Sequence, residues 1–357
     1  MLWIIGLGIN GYKGISIDAL EILKKCDRVY IERFTSYLTD KDLEGLNALI
    51  KEKTCNYSAL IPVQRWFVED GREIIEHSQY KDVALLTYGD PLIATTFTEL
   101  QLRTIKRSIQ VKIIHAASGI TSLIGESGLH MYKFGRTVTI MSGFQSYISV
   151  YTTILDNLLA GNHTLILTEY ANNDSKLFFL DPRYLFEKML EAEEDIKYGV
   201  FSYETFAIVA SRIGTEQQQI KSGKVKSLID KDYGIGPHSI IVTASLHFTE
   251  LDAVKTLSVN FDEPVDNTVK IRKLSVNMIA KYAPKAKEAV DQMRSIIRRE
   301  NSVSGTEHSV EILDNAECYI DDAERFLRQG KFELAILSMG YAEGLIDALR
   351  MHKESPL

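Results

Sequence analysis

The segment Leu85-Leu86-Thr87-Tyr88-Gly89-Asp90-Pro91-Leu92-Ile93-Ala94-Thr95-Thr96 holds the residues best placed for chemistry. Val83-Ala84-Leu85-Leu86 is an apolar run that predicts a buried strand, and Gly89-Asp90-Pro91 breaks it sharply. A helix pattern starts near Thr95 or Thr96, with Leu100, Leu102 and Ile105 as its apolar positions. Asp90 is therefore expected at the carboxyl end of a strand, where open α/β sheets bind ligands. Gly89 lets backbone approach a ligand closely, and Pro91 fixes the exit of the turn. The same Gly-Asp-Pro sequence also serves as a purely structural turn, so the rest of the chain must decide.

A second candidate sits at the amino end. Leu2-Trp3-Ile4-Ile5 predicts a strand, and Gly6-Leu7-Gly8-Ile9-Asn10-Gly11 matches the G-x-G-x-x-G dinucleotide fingerprint. Glu32, ending Val29-Tyr30-Ile31-Glu32, stands at about the distance where that fingerprint places an acidic residue. The fingerprint needs its last glycine inside the helix. Here Tyr12-Lys13-Gly14-Ile15 continue the loop, and the helix is expected to start at Ser16 as N-cap. A loop of that length moves the helix N-terminus away from a pyrophosphate. An NAD(P)-dependent oxidoreductase using Gly6, Gly8, Gly11 and Glu32 is therefore the weaker alternative, although Gly6 and Gly8 are still expected to approach some ligand.

At 357 residues the chain can hold two or three domains. Its 45% hydrophobic and 25% charged content is that of a soluble globular protein. No apolar run is long enough to span a bilayer, and no basic region precedes the first apolar run as in a secretory signal. Cys26, Cys55 and Cys318 are too few and too scattered for a disulfide framework or a zinc site. Together these predict a cytoplasmic protein. The net charge of −7 disfavours general nucleic-acid binding.

Strands are expected at 2–5, 28–31, 83–87 and 111–115, alternating with helices, which predicts a mainly parallel sheet covered on both faces. After a break at Ala116-Ala117-Ser118-Gly119, a second α/β set follows, with strands at 137–141, 164–168, 206–211 and 239–243. The divisions are 1–115, 116–262 and 263–357, with a ligand expected in the cleft between the first two. Beyond Phe261-Asp262-Glu263-Pro264-Val265-Asp266-Asn267 only helical periods appear. Leu274, Met278, Tyr282, Ala289, Met293 and Ile297 mark one helix. Ile312, Ala316, Tyr319, Ala323, Phe326 and Leu327 mark a second, and Leu334, Leu337, Tyr341, Leu345 and Leu349 a third. Lys270, Arg272, Lys273, Lys281, Lys285, Lys287, Arg294, Arg298 and Arg299 make the first of these basic. Glu311, Asp314, Glu317, Asp321, Asp322 and Glu324 make the second acidic, which predicts an antiparallel bundle with complementary faces. A basic helix touching RNA is the alternative.

Gly6-Leu7-Gly8-Ile9 followed by Leu86-Thr87-Tyr88-Gly89-Asp90-Pro91 resembles the tetrapyrrole (corrin/porphyrin) methylase superfamily. Gly89–Thr96 and Gly128-Leu129-His130-Met131-Tyr132-Lys133-Phe134-Gly135 resemble its diphthine synthase family more closely. Val29–Glu32 with Tyr37, Ala210-Ser211-Arg212-Ile213-Gly214 and Gly236-Pro237-His238-Ser239 follow in that family's order. The resemblance covers about residues 1–260. The helical tail resembles a small archaeal helical family of unknown function, through Ala342-Glu343-Gly344-Leu345-Ile346-Asp347-Ala348-Leu349.

The resemblance implies two α/β subdomains of the tetrapyrrole methylase type with S-adenosylmethionine in the cleft between them, plus an all-α tail. By resemblance, Ile9, Asp90, Ile93, Ser118, Gly119, Thr168, Ile213 and His238 line the cofactor site. Asp90 suits cationic groups, the isoleucines suit adenine or the methionine chain, and His238 is alternatively a satisfied strand-start histidine. His130 and Lys133 are expected to be structural or substrate-facing. The implied reaction is methylation of the amine of a modified histidine on translation elongation factor 2, with a corrinoid or tetrapyrrole methyltransferase as the alternative. Glu32 and Tyr37 are weak candidates for the proton acceptor. The family departs here at Tyr88, where proline is usual, and at Phe97, where histidine is frequent. The resemblance also implies a homodimer through the α/β region, to which Phe144, Tyr147, Ile148, Val150, Tyr151, Ile154 and Leu155 add an aromatic-rich helix face.

Overall fold

A computed structural model describes residues 1–51, 59–143, 146–173, 176–299 and 306–354. Cys55 and Phe144 lie outside the described residues, as do the side chains of Lys270, Arg272, Lys273, Leu274, Arg298 and Arg299.

The apolar runs of the amino end form one sheet: β1 (Leu2–Gly6), β2 (Arg28–Glu32), β3 (Leu60–Val63), β4 (Val83–Thr87) and β5 (Val111–Ile114). Their spatial order is β3-β2-β4-β1-β5, and every pairing is parallel. β3 escapes a sequence reading because Pro62 interrupts it. It lies at the sheet edge, where a missing N–H is tolerated. α1 (Ile17–Leu23) and α2 (Asp40–Lys51) cover one face, burying Leu23, Leu46 and Ile50 on Ile5, Ile31 and Leu86. α3 (Arg65–Asp70), α4 (Arg72–Tyr80) and α5 (Phe97–Lys106) cover the other, burying Val68, Ile74 and Phe97 on Ile4, Tyr30 and Leu85. Ser16 caps α1 by accepting from the Ala19 N–H at 3.1 Å, after a tight turn over Gly11–Gly14.

The second subdomain opens with α6 (Gly119–Glu126) and continues through β6 (Val138–Ile140), α7 (Ser146–Leu159), β7 (Thr164–Thr168), the β8–β9 hairpin (Tyr170–Asn173, Lys176–Phe179) and α8 (Pro182–Ile196). β10 (Phe206–Ser211), β11 (Gln219–Lys224), α9 (Val225–Leu228), β12 (His238–Val242), α10 (Phe248–Leu257) and β13 (Val259–Asn260) complete it. The sheet order is β13-β11-β10-β12-β7-β6, with antiparallel pairings from β7 to β11 and parallel ones at both edges. The antiparallel direction of β12 has a functional result: its amino end, His238, lies beside the carboxyl ends of β7 and β10.

α7 does not present the aromatic surface expected of it. Val150, Tyr151 and Ile154 are fully buried beneath β6 and α8, with Tyr147 and Leu155 packed against them, while Ile148 is exposed. That helix fills a core, and its aromatics give no support to pairing of two chains there.

The tail is a bundle of α11 (Thr268–Arg299), α12 (Thr306–Arg328) and α13 (Phe332–Glu354). The basic and acidic faces meet as expected: Arg294 reaches Asp314 at 2.5 Å and Glu317 at 2.7 Å, and Lys287 reaches Glu324 at 3.0 Å. On α11 and α12 the predicted apolar positions Ala289, Met293, Ile297, Ala316 and Ala323 are buried. α13 meets the expectation only in part, at Leu349, which is buried, and Leu345, which packs against the core. Ala335, Met339, Ala342, Ile346 and Leu349 fill the core, whereas Leu334, Leu337 and Tyr341 face outward. The helix carries two apolar stripes, and close packing in the bundle selects the one with more alanines. No helix among the described residues is long and apolar enough to cross a membrane.

One side chain joins the tail to the sheet. The Asn267 carbonyl accepts from the Phe206 N–H at 2.9 Å, and its amide donates to the carbonyls of Phe206 at 2.9 Å and Thr243 at 2.7 Å. Asn267→Ala should leave buried backbone groups unpaired and cost about 1–3 kcal/mol. A lowered urea midpoint checks this, and an unchanged one would show that the anchor is idle.

Candidate active site

A cavity of about 470 Å³ opens where the carboxyl end of β4 faces the carboxyl ends of β7 and β10. Two glycines make its floor possible. A Cβ on Gly6 would lie 2.5 Å from the Gly89 carbonyl, so the loop after β1 and the turn after β4 can cross only without side chains there. Gly89 then donates to the Gly8 carbonyl at 2.9 Å, and Gly8 donates back at 3.3 Å. Gly6 and Gly8 therefore serve backbone-to-backbone contact, correcting the expectation that they approach a ligand. Neither lines the cavity.

Asp90 is only 7% exposed, and its carboxylate joins two segments. One oxygen accepts from the Leu92 N–H at 2.9 Å. The other meets the Ala116 N–H at 3.2 Å and His115 Nδ1 at 2.8 Å. Asp90 thereby ties the turn after β4 to the hinge that starts the second subdomain. Across that hinge, Ser118 caps α6 by accepting from the Ile120 N–H at 3.3 Å, and Gly119 opens the helix.

The opposite wall comes from the second sheet. Thr168 Oγ1 donates to the His238 carbonyl at 2.8 Å, and Ser211 Oγ bonds His238 Nδ1 at 2.8 Å. Burial, aided by the charge of Arg212 and opposed by Asp181, pushes His238 down to about 4. The ring is thus neutral at pH 7 and fixed by Ser211, as a satisfied strand-start histidine is, and it still lines the cavity. Ile93 and Ile213 supply apolar wall with Ile120, Leu123 and Leu167. Ile9 stands just behind it, wedged against Gly214, where a Cβ would come within 2.4 Å of its side chain. Tyr88, the departure from the family's proline, sends its hydroxyl to the Ile9 carbonyl at 2.7 Å and so holds that loop.

Neither proposed proton acceptor lines the cavity. Glu32 is fully buried. Its carboxylate accepts from the N–H groups of Phe34 at 2.7 Å and Thr35 at 2.9 Å and from the Thr87 hydroxyl. Burial raises its pKa against those bonds. Glu32 shapes the 34–36 wall rather than exchanging protons with a substrate. Tyr37 packs edge-on against Phe179, with ring centroids 5.5 Å apart.

Several lining residues had no sequence signal: Arg65, whose guanidinium lies 5.0 Å over the Phe34 ring, Glu169 and Tyr170. Tyr170 bridges the cleft by donating to the Arg33 carbonyl at 2.9 Å. Only its place directly after an expected strand end could have marked it. His130 and Lys133 lie elsewhere. Lys133 reaches the fully buried Glu250 at 2.5 Å and the Ser245 carbonyl at 2.7 Å, and the His130 N–H reaches Glu250 at 2.8 Å. Burial would raise Glu250, but those bonds, with others from His247 and His163, hold it at about 2.

The comparisons agree with this geometry. Residues 1–229 match the family model of the tetrapyrrole (corrin/porphyrin) methylases. The chain belongs to the tetrapyrrole methylase family. A diphthine synthase of Methanothermobacter thermautotrophicus is 38% identical, over 71% of this chain and 93% of that protein. The diphthine methyl ester synthase of Dictyostelium discoideum is 34% identical, over 72% and 98%. A crystal structure of a candidate diphthine synthase from Entamoeba histolytica superposes with a TM-score of 0.65 at 30% identity, covering 73% of this chain and 98% of that one. This methylase is thus a diphthine synthase-type, S-adenosylmethionine-dependent methyltransferase, which displaces the oxidoreductase alternative. Residues 281–353 match a second family model, a protein family of unknown function (DUF357).

Because the folded state holds His238 below the ordinary 6.5, protonating it opposes folding. Its contribution is intact above pH 6.5 and lost as pH falls towards 4, on the order of 3 kcal/mol when complete. Denaturant titrations of the wild type and His238→Asn between pH 7 and 4 should converge. Parallel curves would show that His238 is not the titrating group.

Proposed function

We propose that this methylase holds S-adenosylmethionine in the cleft between its two sheets and methylates the amine of the modified histidine, the diphthamide precursor, on translation elongation factor 2, in the cytoplasm. One observation supports the cofactor position most: Asp90, Ile93, Ser118, Gly119, Thr168, Ile213 and His238, drawn from five separate segments, line a single cavity. The donor, when bound, supplies an electrophilic methyl group on a cationic sulfur.

The chain's part is recognition and alignment. Asp90 and Glu169 put carboxylates at the cavity wall, favourable to a cation. Ile93 and Ile213 offer apolar surface to adenine, and Ser118 with Gly119 offers polar and backbone groups at the start of α6. Neutral, Ser211-bonded His238 brings no positive charge against the donor. Transfer to an amine needs in-line approach at about 3–3.5 Å and no covalent enzyme intermediate. With Glu32 and Tyr37 off the cavity lining, proton loss from the amine falls to solvent through the open side of the cleft.

Incubation with radiolabelled S-adenosylmethionine and elongation factor 2 carrying the precursor histidine should label the factor. Label in a tetrapyrrole and none in the factor would overturn this assignment. Adenosylhomocysteine at 100 times its Kd should add about 2.7 kcal/mol of stability, and NAD should add none. Ile213→Asp, which puts an unpaired carboxylate on the apolar wall, should weaken adenosylhomocysteine at least tenfold. Undiminished affinity would remove Ile213 from the site.

A further inference from the structure

The residues proposed to hold the donor leave part of the cavity unassigned. In the first sheet they follow β4 and β5, and in the second they follow β10, open β12 and close β7. A second group of lining residues comes from the other side of each sheet. Phe34 and Arg65 follow β2 and β3, and Met141 and Glu169 follow β6 and β7. Tyr170 joins these two edges by donating to the Arg33 carbonyl at 2.9 Å.

The open charge at that end is negative. The Glu169 N–H donates to the Ile140 carbonyl at 3.0 Å, and its own carbonyl accepts from the Leu180 N–H at 3.0 Å. Its carboxylate is fixed as well: Oε2 accepts from the Ser142 N–H at 2.7 Å and from the Ser142 hydroxyl at 2.5 Å. Among the described residues no group meets Oε1. Asp90, the other carboxylate of the lining, has protein donors on both oxygens. The guanidinium groups of the lining are drawn elsewhere. Arg65 lies 3.7 Å from Glu69, and Arg212 donates to the carbonyls of Gln217 at 3.0 Å and Ile235 at 2.6 Å.

We infer that Glu169 anchors the acceptor: Oε1 takes a hydrogen bond from the amine that is methylated and holds its nitrogen at the β6–β7 end of the cavity, lone pair towards the donor. This rests on the proposed function, whose acceptor is an amine. As the nitrogen–methyl bond forms, the methyl–sulfur bond breaks and its electron pair stays on sulfur as a neutral thioether. The positive charge therefore passes from sulfur to nitrogen. A carboxylate already fixed beside the nitrogen favours that passage, and it needs no rearrangement at the moment of transfer. The proton left on the nitrogen then departs to solvent.

The test is the single-turnover rate of methyl transfer to the factor at saturating S-adenosylmethionine, beside calorimetric binding of adenosylhomocysteine to the full chain. Glu169→Gln keeps an oxygen for Ser142 but removes the charge. Its rate should fall about 100-fold, while its adenosylhomocysteine Kd and unfolding midpoint match the wild type. Ser142→Ala, which loosens the carboxylate without discharging it, should lose rate in the same direction and by less. A wild-type rate in Glu169→Gln would overturn the inference. So would a matching loss of adenosylhomocysteine affinity, which would place Glu169 on the donor instead. No label in the factor from wild type or variant would overturn the amine as acceptor, and this inference with it.

Discussion

The carboxylate of Asp90 is the constraint on which the site depends. It gathers the Leu92 and Ala116 N–H groups and the His115 ring within 3.2 Å, and these belong to the turn after β4 and the hinge into the second subdomain. Buried backbone donors need an acceptor, and a nearly enclosed carboxylate needs donors. The two requirements satisfy each other only if the β4 turn and the hinge stand at one separation. That separation sets where α6 begins and how far the second sheet stands from the first.

The second sheet meets this arrangement with its own fixed point. Reversal of β12 carries His238 to the cleft, where Ser211 and Thr168 hold its ring and carbonyl. At the far end of the same sheet, Glu250 fastens the 130–133 segment and α10 to the core. Polar groups sealed inside and bonded throughout hold one geometry, because any alternative leaves them unpaired. The cavity between is lined by short loops on strand ends that these networks immobilise.

Much of this was legible in the residues. Apolar runs at β1, β2, β4, β7 and β10 specify buried strands, and Ser16 and Asp90 mark the chemistry of their turns. Elements that resist such a reading do so for physical reasons. β3 contains Pro62 and survives only at an edge. β11 is written Gln219-Ile220-Lys221-Ser222-Gly223-Lys224, too polar to read as a strand, and it forms because β10 on one side supplies the pairing. Glu32 had the right residue type near the right place, but its type does not reveal that two N–H groups and a hydroxyl consume it. α13 shows the same limit. Its two apolar stripes are equal in the sequence, and only the partners α11 and α12 decide which one is covered. The lining residues Arg65 and Tyr170 open α3 and β8, and Glu169 stands between β7 and β8; single residues at element ends carry no periodicity of their own.

The most direct test of the account is calorimetric binding of adenosylhomocysteine to Asp90→Ala, in protein shown to be folded by circular dichroism. Loss of the carboxylate frees two backbone N–H groups and the His115 ring together, and so releases the separation that shapes the cleft. Binding weakened at least tenfold, together with a lower unfolding midpoint, is the predicted result. Wild-type affinity in a folded Asp90→Ala protein would contradict it.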